Sequence, residues 1–235
     1  EGTIVIEGSQ GVLLDREYGF YPYTTKVRSV PNTAQALLEA GGYSGHVQSL
    51  GIVRSYATRH GHGPFVTEDT TLTERLPDAR NQNDPWQGNF RIGHYDAALT
   101  AYASTVCGQD AFDGLIVTCL DRTAQLDEWS VCTHYQAPSL GGGYGSIAAL
   151  RTRLAPDHLV SNLLSECRPI MHTINQRPLS IERRRQEYLR LKGLVVKFVT
   201  VDASQPEAKV LQDVSAIIQD FYATRLTSAE KVLQS

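Results

Sequence analysis

A short polar turn between glycines is the first segment of this sequence that could carry chemistry. Ser9 and Gln10 lie between Gly8 and Gly11, directly after the β-branched run 4–6, which predicts a buried strand. Glycines let a ligand approach the backbone closely, and a glutamine amide offers both donor and acceptor atoms to a base or a phosphate. The turn has neither the spacing of a Walker loop nor that of a nucleophile elbow. Alone, it is more typical of a tight turn than of a ligand site.

Three other patterns could carry chemistry, and each also has an ordinary structural explanation. His60 and His62 stand one residue apart in a glycine-rich loop, but no third carboxylate or thiol beside them completes a metal site. Cys119 follows an apolar run, yet the sequence places no base next to it. Residues 141–146 are glycine-rich but lack the Lys-Ser/Thr pair of a phosphate loop. We therefore predict loop histidines, a buried thiol and a flexible turn, and no metal ligand.

The composition restricts the classes of function. The chain has 22 Lys and Arg against 25 Asp and Glu, a net charge of −3, which offers no basic field for nucleic acid. No apolar run approaches the roughly 18–20 residues of a membrane span, and residues 1–15 lack the pattern of a signal peptide. The four cysteines are spaced too widely for a metal knuckle or a dense disulfide framework. We expect a cytoplasmic protein with reduced thiols that binds small ligands or proteins.

The apolar periodicity predicts strands that alternate with helices. The predicted helices cover residues 32–38, 95–107, 180–192 and 206–224, and the predicted strands 47–56, 115–118, 129–135 and 194–201. Asn32 is the predicted cap of the first helix, and the polar residues 67–92 are predicted to form a mobile surface loop. The alternation is typical of an α/β fold with a largely parallel or mixed sheet flanked by helices. Because no linker divides the chain, we predict a single domain over residues 1–235.

Three motifs follow one another in the chain, at residues 7–15 (EGSQGVLLD), 21–25 (YPYTT) and 55–68 (SYATRHGHGPFVTE). In this order they resemble the E-G-x-Q-G-x-x-L-D, Y-P-x-V-T and Y-x-T-R-x-G-x-G-P-F-x-T-E segments of the adenylosuccinate synthetase family. Residues 93–96 (GHYD) and 118–121 (TCLD) are similar to the family's G-W-x-D and T-K-L-D. The resemblance is good over residues 1–135 and weak over the divergent residues 136–235.

The resemblance implies a P-loop-NTPase-like α/β fold that here lacks its N-terminal part. The family's enzyme is a ligase of purine biosynthesis that joins IMP to L-aspartate, with GTP and magnesium, through a 6-phosphoryl intermediate. A phage branch that resembles this family makes 2-aminoadenylosuccinate from dGMP and depends on an adenine nucleotide. The resemblance therefore implies a purine nucleotide as partner, magnesium and GTP or ATP as cofactors, a cytoplasmic location and a homodimer.

By this resemblance, four positions are expected to contact nucleotides. Gln10 would contact the purine of the monophosphate, Thr25 its 5′-phosphate and the backbone at His60 its ribose. Asp121 would accept hydrogen bonds from the amino and imino groups of the triphosphate's guanine, a bidentate pairing that a carboxylate suits. In the loop that binds L-aspartate in the family, residues 87–92 here, Arg91 keeps the one guanidinium, so we expect aspartate binding to be weakened.

Other departures from the family pattern concern the catalytic groups. The family's phosphate loop with its catalytic Asp, and its catalytic His, lie upstream of the E-G-x-Q-G turn, and no residue here matches them. We therefore expect no catalytic residue in this chain, and no magnesium or triphosphate chemistry unless an N-terminal part supplies that loop. Cys119 also replaces the Lys of T-K-L-D, which alters the guanine site.

Two hypotheses follow from the resemblance and its departures. The first is a divergent ligase whose nucleotide-binding part is this chain. The second is a non-catalytic nucleotide-binding or interaction protein derived from the same fold.

Overall fold

The computed structural model describes residues 4–79, 81, 85–108, 111–136, 144–145, 164–174, 198–200, 209 and 212. The predicted helix at 180–192, nearly all of the predicted helix at 206–224 and most of the glycine-rich segment 141–146 lie outside the described residues. The described elements alternate between strands and helices and form parallel and mixed sheets, which confirms the predicted α/β class.

The secondary structure begins with a 3₁₀ turn at Val12–Leu14. The helices are α1 (Pro31–Ala40), α2 (Thr70–Arg75), α3 (Ala97–Val106) and α4 (Leu120–Thr123). The strands are β1 (Leu50–Arg54), β2 (Ala57–His60), β3 (Phe90–Gly93), β4 (Tyr95–Asp96), β5 (Gly114–Thr118), β6 (Trp129–Gln136), β7 (Tyr144–Gly145), β8 (Arg168–Ile174) and β9 (Phe198–Thr200).

One sheet is parallel, with the strand order β1-β5-β9. The strand β5 is apolar and buries Leu115 and Val117, which project from the same face of the sheet. Parallel strands end at the same edge, and Arg54 at the end of β1 lies opposite Thr118 at the end of β5. The next residue, Ser55, donates its backbone N–H to the carbonyl of Thr118 at 2.9 Å. The segments that follow β1 and β5 are therefore held side by side.

A second, mixed sheet is built around β6. This strand pairs in parallel with β4 and antiparallel with β7 and β8. The β6–β8 ladder runs from Trp129 opposite Ile174 to Gln136 opposite Arg168, with an irregularity between Cys132 and His134. The strand β8 lies in the stretch where the sequence shows the least periodicity. Its conformation depends on pairing with β6, which a local pattern does not reveal.

The prediction of a loop over residues 67–92 was wrong for α2 and β3. Asp69 caps α2, since its carboxylate accepts from the N–H groups of Thr71 at 2.8 Å and Leu72 at 3.3 Å. Leu72 is buried in the same cluster as Ile92 of β3, which pairs with β2. A helix of six residues is too short to display a period of 3.6, so packing against β3 decides its existence.

The helices predicted near residues 32–38 and 95–107 are confirmed as α1 and α3, with one correction. Asn32 does not cap α1, because the helix begins with Pro31 at its first position after Val30. Gly42, with φ of +75°, follows the end of the helix as expected of a glycine-terminated helix. None of the helices in the described part of the chain is long and apolar enough to cross a membrane.

The prediction of a buried strand at residues 4–6 was wrong. Ile4, Val5 and Ile6 are 66%, 85% and 47% exposed, and no described strand pairs with them. A β-branched run forms a strand only where a neighbour takes up its N–H and C=O groups. The described residues provide no such neighbour.

Candidate functional site

A buried carboxylate organises the loop that follows the 3₁₀ turn. Asp15 is fully buried, and its Oδ1 accepts from the backbone N–H groups of Glu17 at 2.8 Å and Tyr18 at 3.1 Å. Its Oδ2 accepts from the N–H of Ser29, and the Nε of Arg28 lies 3.5 Å from Oδ1. Burial raises the pKa of the Asp15 carboxyl, but the hydrogen bonds from Ser29, Glu17 and Tyr18 and the charge of Arg28 outweigh it, so the pKa falls below 3.8.

The turn at Gln10 has a strained backbone and an exposed side chain. The N–H of Gly11 donates to the carbonyl of Ser9 at 2.9 Å, and that of Leu14 donates to the carbonyl of Gly11 at 3.0 Å. Gln10 has φ of 71°, which costs a side-chain-bearing residue about 1–2 kcal/mol. Among the described residues, only Gln10 and Cys119 combine a positive φ with a side chain. Both lie in the motifs, at segments where the sequence predicts a ligand contact.

Thr25 lies beside this turn because its segment folds back onto the 3₁₀ turn. The N–H of Thr25 donates to the carbonyl of Leu14 at 2.7 Å. Phe20 anchors the same loop, since its ring is buried and stacks on Tyr102 of α3 with the centroids 5.6 Å apart. The side chain of Thr25 is half-buried. The structure therefore brings the predicted residues Gln10 and Thr25 into one loop system.

Arg91 holds the glycine-rich loop that follows β2. Its Nη2 donates to the carbonyls of Gly61 at 2.7 Å and Gly63 at 2.9 Å, and its Nε donates to Gly61 at 3.2 Å. Its Nη1 donates to Oε2 of Glu68 at 2.6 Å, and the guanidinium lies 5.5 Å from the ring centroid of Phe65. All three nitrogens of this guanidinium are thus occupied. Arg91 supports the loop in this structure, and its predicted role toward aspartate stays a prediction.

His60 ends β2 and lies opposite Phe90 of β3. The two rings meet edge to face, with the centroids 5.7 Å apart. The Nε2 atom of His60 is buried and has no hydrogen-bond partner among the described residues. Leaving a buried polar atom unpaired costs about 1–3 kcal/mol, so this nitrogen is available to a ligand or water. The sequence points to the backbone of His60, and the structure adds its imidazole as a second group.

A contact between Tyr23 and Arg59 joins the Thr25 loop to β2. The guanidinium of Arg59 lies 5.8 Å from the Tyr23 ring centroid, and its Nε donates to the carbonyl of His62 at 2.9 Å. Gly63 adopts φ of +113° and packs so closely that a Cβ there would lie 2.8 Å from Cγ of Tyr23. Sequence reasoning did not single out Arg59, although it belongs to the third motif. The feature of the sequence that could have indicated Arg59 is its position directly before the glycine-rich loop.

Asp121 lies in the first turn of α4, just past the end of β5. Its carboxylate is half-buried and makes no hydrogen bond or ion pair with residues that the structure describes. The hydroxyl of Ser55 donates to the carbonyl of Cys119 at 2.7 Å and accepts from the hydroxyl of Thr123 at 3.1 Å. These bonds attach α4 to the short segment between β1 and β2. Asp121 is an unoccupied acceptor at the carboxyl edge of the parallel sheet, where α/β proteins place ligands.

Two arginines flank the buried ring of Tyr56 near this edge. The guanidinium carbons of Arg54 and Arg122 each lie 6.0 Å from the Tyr56 ring centroid. Arg54 also approaches Oδ2 of Asp78 at 3.3 Å, and Nη1 of Arg122 donates to the Tyr56 hydroxyl at 3.4 Å. Sequence reasoning missed this cluster because its members are scattered along the chain without motif spacing. It positions the turn that carries Asp121.

An open cavity of about 450 Å³ lies between α2 and β3. Its lining includes the carboxylates of Glu68, Glu74 and Asp78 and the guanidinium of Arg91. Because Arg91 is already paired with Glu68, the lining carries an excess of negative charge, which disfavours an anionic ligand. Within the described part of the chain, no group of three or more His, Cys, Asp or Glu side chains could hold a metal ion.

A comparison with protein-family models identifies the same family as the motifs. The model described as adenylosuccinate synthetase matches residues 1–188. The chain belongs to the adenylosuccinate synthetase family. This match confirms the prediction made from the motifs and extends past residue 135, where the motif resemblance becomes weak.

Curated adenylosuccinate synthetases are similar to this chain over part of their length. The one from Desulforamulus reducens is 38% identical over 137 residues, which cover 57% of this chain and 31% of the relative. The one from a Synechococcus strain is 30% identical over 227 residues, which cover 90% of this chain and 48% of the relative. The chain thus spans about half the length of the curated relative that it matches most broadly here.

A solved structure titled as fully ligated adenylosuccinate synthetase from Plasmodium falciparum has a similar fold. It aligns with a TM-score of 0.62 and 20% sequence identity over 82% of this chain and 46% of that chain. The predicted adenylosuccinate synthetase fold is therefore confirmed.

In this adenylosuccinate synthetase-family chain, the predicted site residues fall into two places. Gln10 and Thr25 lie on one loop system, and His60 and Arg91 lie on the antiparallel strand pair β2–β3, which Arg59 connects to that loop system. Asp121 lies apart from them in sequence, at the carboxyl edge of the parallel sheet.

Proposed function

We propose that this chain supplies the nucleotide-binding part of an adenylosuccinate synthetase-type ligase of purine biosynthesis. In this proposal Gln10 contacts the purine of IMP or a related monophosphate, Thr25 its 5′-phosphate and the His60 backbone its ribose. Asp121 holds the base of the triphosphate, GTP or ATP. Family membership and the names of the relatives support the proposal.

The left-handed backbone at Gln10 is the observation that carries the proposal. A strained residue persists only where its surroundings hold it, and such residues cluster at functional sites. Here the surroundings are the 3₁₀ turn, the hydrogen bond between Leu14 and Thr25 and the buried Asp15 carboxylate. They keep an amide, which can both donate and accept, exposed at a fixed position. This is what recognition of a purine edge requires.

The contribution of this chain to the reaction is binding and orientation. In such a ligase the 6-oxygen of the purine is phosphorylated, and the amine of L-aspartate then displaces the phosphate. Holding the monophosphate at its base, ribose and phosphate fixes the position of C6 relative to both reagents. The translational and rotational entropy is then lost on binding, so less is lost on reaching the transition state. Magnesium would neutralise the charge of the triphosphate when bound, and the described residues contain no group of three or more His, Cys, Asp or Glu side chains that could hold it. The proposal assigns no catalytic residue to this chain, because none of its residues matches the family's catalytic Asp or His.

L-Aspartate has less support as a partner than the nucleotide has. Arg91, the guanidinium predicted to bind it, is paired with Glu68 and with two loop carbonyls. An aspartate carboxylate would have to displace these contacts beside a cavity with excess negative charge. The homodimer, the single domain and the cytoplasmic location remain predictions from the resemblance and the sequence.

A non-catalytic nucleotide-binding protein of the same fold is the second candidate. The occupied guanidinium of Arg91 is the observation that favours it, because a ligase of this type must also bind the amino acid. The two candidates share the monophosphate site and differ in aspartate binding.

Titration calorimetry on the wild type and on Gln10→Ala tests the shared site with IMP, AMP, dGMP, GTP and ATP. We expect one monophosphate to bind and Gln10→Ala to weaken it roughly 5- to 150-fold, the effect of losing a contact worth about 1–3 kcal/mol. Gln125→Ala is the matched control, because Gln125 is also exposed but lies outside the motifs.

Two results would reject the monophosphate site. One is the absence of binding of every nucleotide to the wild type, and the other is an equal effect of the Gln10 and Gln125 variants. A titration of L-aspartate into the monophosphate complex then separates the candidates. Binding supports the ligase, and no binding supports the non-catalytic protein.

A further inference from the structure

The antiparallel strand pair β2–β3 places two arginines side by side. Arg59 lies directly opposite Arg91 in the antiparallel register. Residues paired in this way project to the same face with their Cβ atoms about 4.5–5.5 Å apart, and like charges at such positions are destabilising. The pair therefore needs negative charge close to it.

The described residues compensate only one of the two charges. Arg91 pairs with the carboxylate of Glu68 at 2.6 Å. Arg59 donates through Nε to the carbonyl of His62 at 2.9 Å, and no carboxylate in the described part of the chain forms an ion pair with it. Its Nη1 and Nη2 atoms have no hydrogen-bond acceptor among these residues. One positive charge and two donor nitrogens are thus left over.

Arg59 is held in place despite this electrostatic cost. Its guanidinium lies over the ring of Tyr23, with Cζ 5.8 Å from the centroid, and the backbone of Gly63 packs against the same two side chains. Burial lowers the pKa of the Arg59 guanidinium, the neighbouring charge of Arg91 lowers it further, and Tyr23 partly opposes both. The Arg59 guanidinium is thus held in one position although burial and the charge of Arg91 both disfavour its positive charge. Binding an anion there would offset this cost and would not require the side chain to be ordered first.

The position of Tyr23 indicates which anion this is. Tyr23 belongs to the segment that contains Thr25. The backbone N–H of Thr25 donates to the carbonyl of Leu14. The hydroxyl of Thr25 has no hydrogen-bond partner among the described residues. A guanidinium and a threonine hydroxyl on adjoining segments form a donor set typical of phosphate sites.

We propose that Arg59 binds the phosphate monoester of the nucleotide substrate through its Nη1 and Nη2 atoms. This inference deepens the proposed function, because it adds a residue to the monophosphate site that the motifs did not assign. A phosphate dianion supplies the negative charge that the arginine pair lacks, and the planar fork of Arg59 suits two of its oxygens. Arg59 is a binding residue in this proposal and takes no part in bond making.

Calorimetry with four probes tests the proposal: IMP, inosine, inorganic phosphate and L-aspartate. We expect Arg59→Gln to weaken IMP about 10- to 100-fold and to leave inosine within about twofold, because only the phosphate loses its partner. Arg59→Lys should lie between the wild type and Arg59→Gln, since it keeps the charge but loses the fork. Arg75→Gln is the control, because Arg75 pairs with Asp127 on the surface. Far-UV circular dichroism and the urea midpoint check that each variant is folded. If Arg59→Gln does not fold, the IMP and inosine affinities of Arg59→Lys are used to test the proposal instead.

Several outcomes overturn the proposal. They are an equal loss of IMP and inosine binding, unchanged IMP binding in both variants, and no binding of IMP or inorganic phosphate to the wild type. A loss confined to L-aspartate would show that the anion is a carboxylate, which also rejects the phosphate assignment. If inorganic phosphate binds through Arg59 while Gln10→Ala has no effect on IMP, the phosphate site stands and the proposed purine site fails.

Discussion

Replacing Asp15 by Asn tests whether one buried carboxylate organises the loop that follows the 3₁₀ turn. In Asp15→Asn the remaining oxygen can still accept from Glu17 and Tyr18, but an NH₂ group now faces the N–H of Ser29. The variant loses a charge-assisted hydrogen bond, leaves a half-buried donor unpaired and gives up the ion pair with Arg28. Charge-assisted bonds contribute about 1.5–3 kcal/mol and unpaired donors cost about 1–3 kcal/mol, so we expect a loss of about 2–4 kcal/mol.

Urea unfolding of the wild type and of Asp15→Asn measures this loss. Asp127→Asn is the control, because the Asp127 side chain is 90% exposed and its pair with Arg75 should be worth about 0–1 kcal/mol. With a slope of about 2 kcal/mol/M, the midpoint of Asp15→Asn should fall by about 1–2 M. A shift no larger than that of Asp127→Asn would refute the reasoning.

The pH dependence provides an internal check on the same variant. The pKa of Asp15 is lowered by folding, so the stability that its charge contributes is present above its unfolded value of 3.8 and is lost as the pH falls through the lower folded pKa. The difference between the wild type and Asp15→Asn should therefore be constant near neutral pH and shrink below about pH 3.8. A difference that persists in acid would show that the carboxylate charge is not what stabilises the loop.

Two further variants test other buried positions. Burial raises the pKa of Asp96 from 3.8 to about 6, although Tyr135 and Leu99 donate to it, so its contribution to stability is greatest at low pH and declines as the pH rises through about 6. The wild type should therefore gain roughly 1 kcal/mol over Asp96→Asn in urea unfolding between pH 7 and pH 5, and a constant gap would contradict this. Gly63→Ala places a Cβ 2.8 Å from Cγ of Tyr23 at a φ of +113° and should cost about 3 kcal/mol. Gly42→Ala, at φ of +75° in open space, should cost only about 1 kcal/mol, and equal costs would show that the Gly63 loop yields.

Local patterns located the segments that form the candidate site. The glycines around Gln10 predict a tight turn, and the structure has a turn there, with φ of 71° at Gln10 and 109° at Gly11. The apolar run before Cys119 predicts a buried strand, and Asp121 follows the end of β5 as expected. These predictions succeeded because turns and strand ends depend on neighbours in the sequence.

Predictions failed where an element depends on distant partners. The polar segment 67–92 contains a helix and a strand, because Asp69 caps the first and β2 pairs with the second. Residues 4–6 have a strand composition, yet no described strand accepts their hydrogen bonds. For α2 the decisive distant contact is the packing of Leu72 against Ile92 of β3, and for residues 4–6 it is the missing partner strand.

The sequence by itself determined the family, the α/β class and the places of the glycine turn and the strand ends, because motif order and residue periodicity are properties of the chain. Only the tertiary structure decided what each charged group does. The register of β2 with β3 sets Arg59 opposite Arg91, and Glu68 pairs with Arg91 while no carboxylate among the described residues pairs with Arg59. Pairing across separated segments fixes the distances between charges, and those distances decide which guanidinium forms an ion pair.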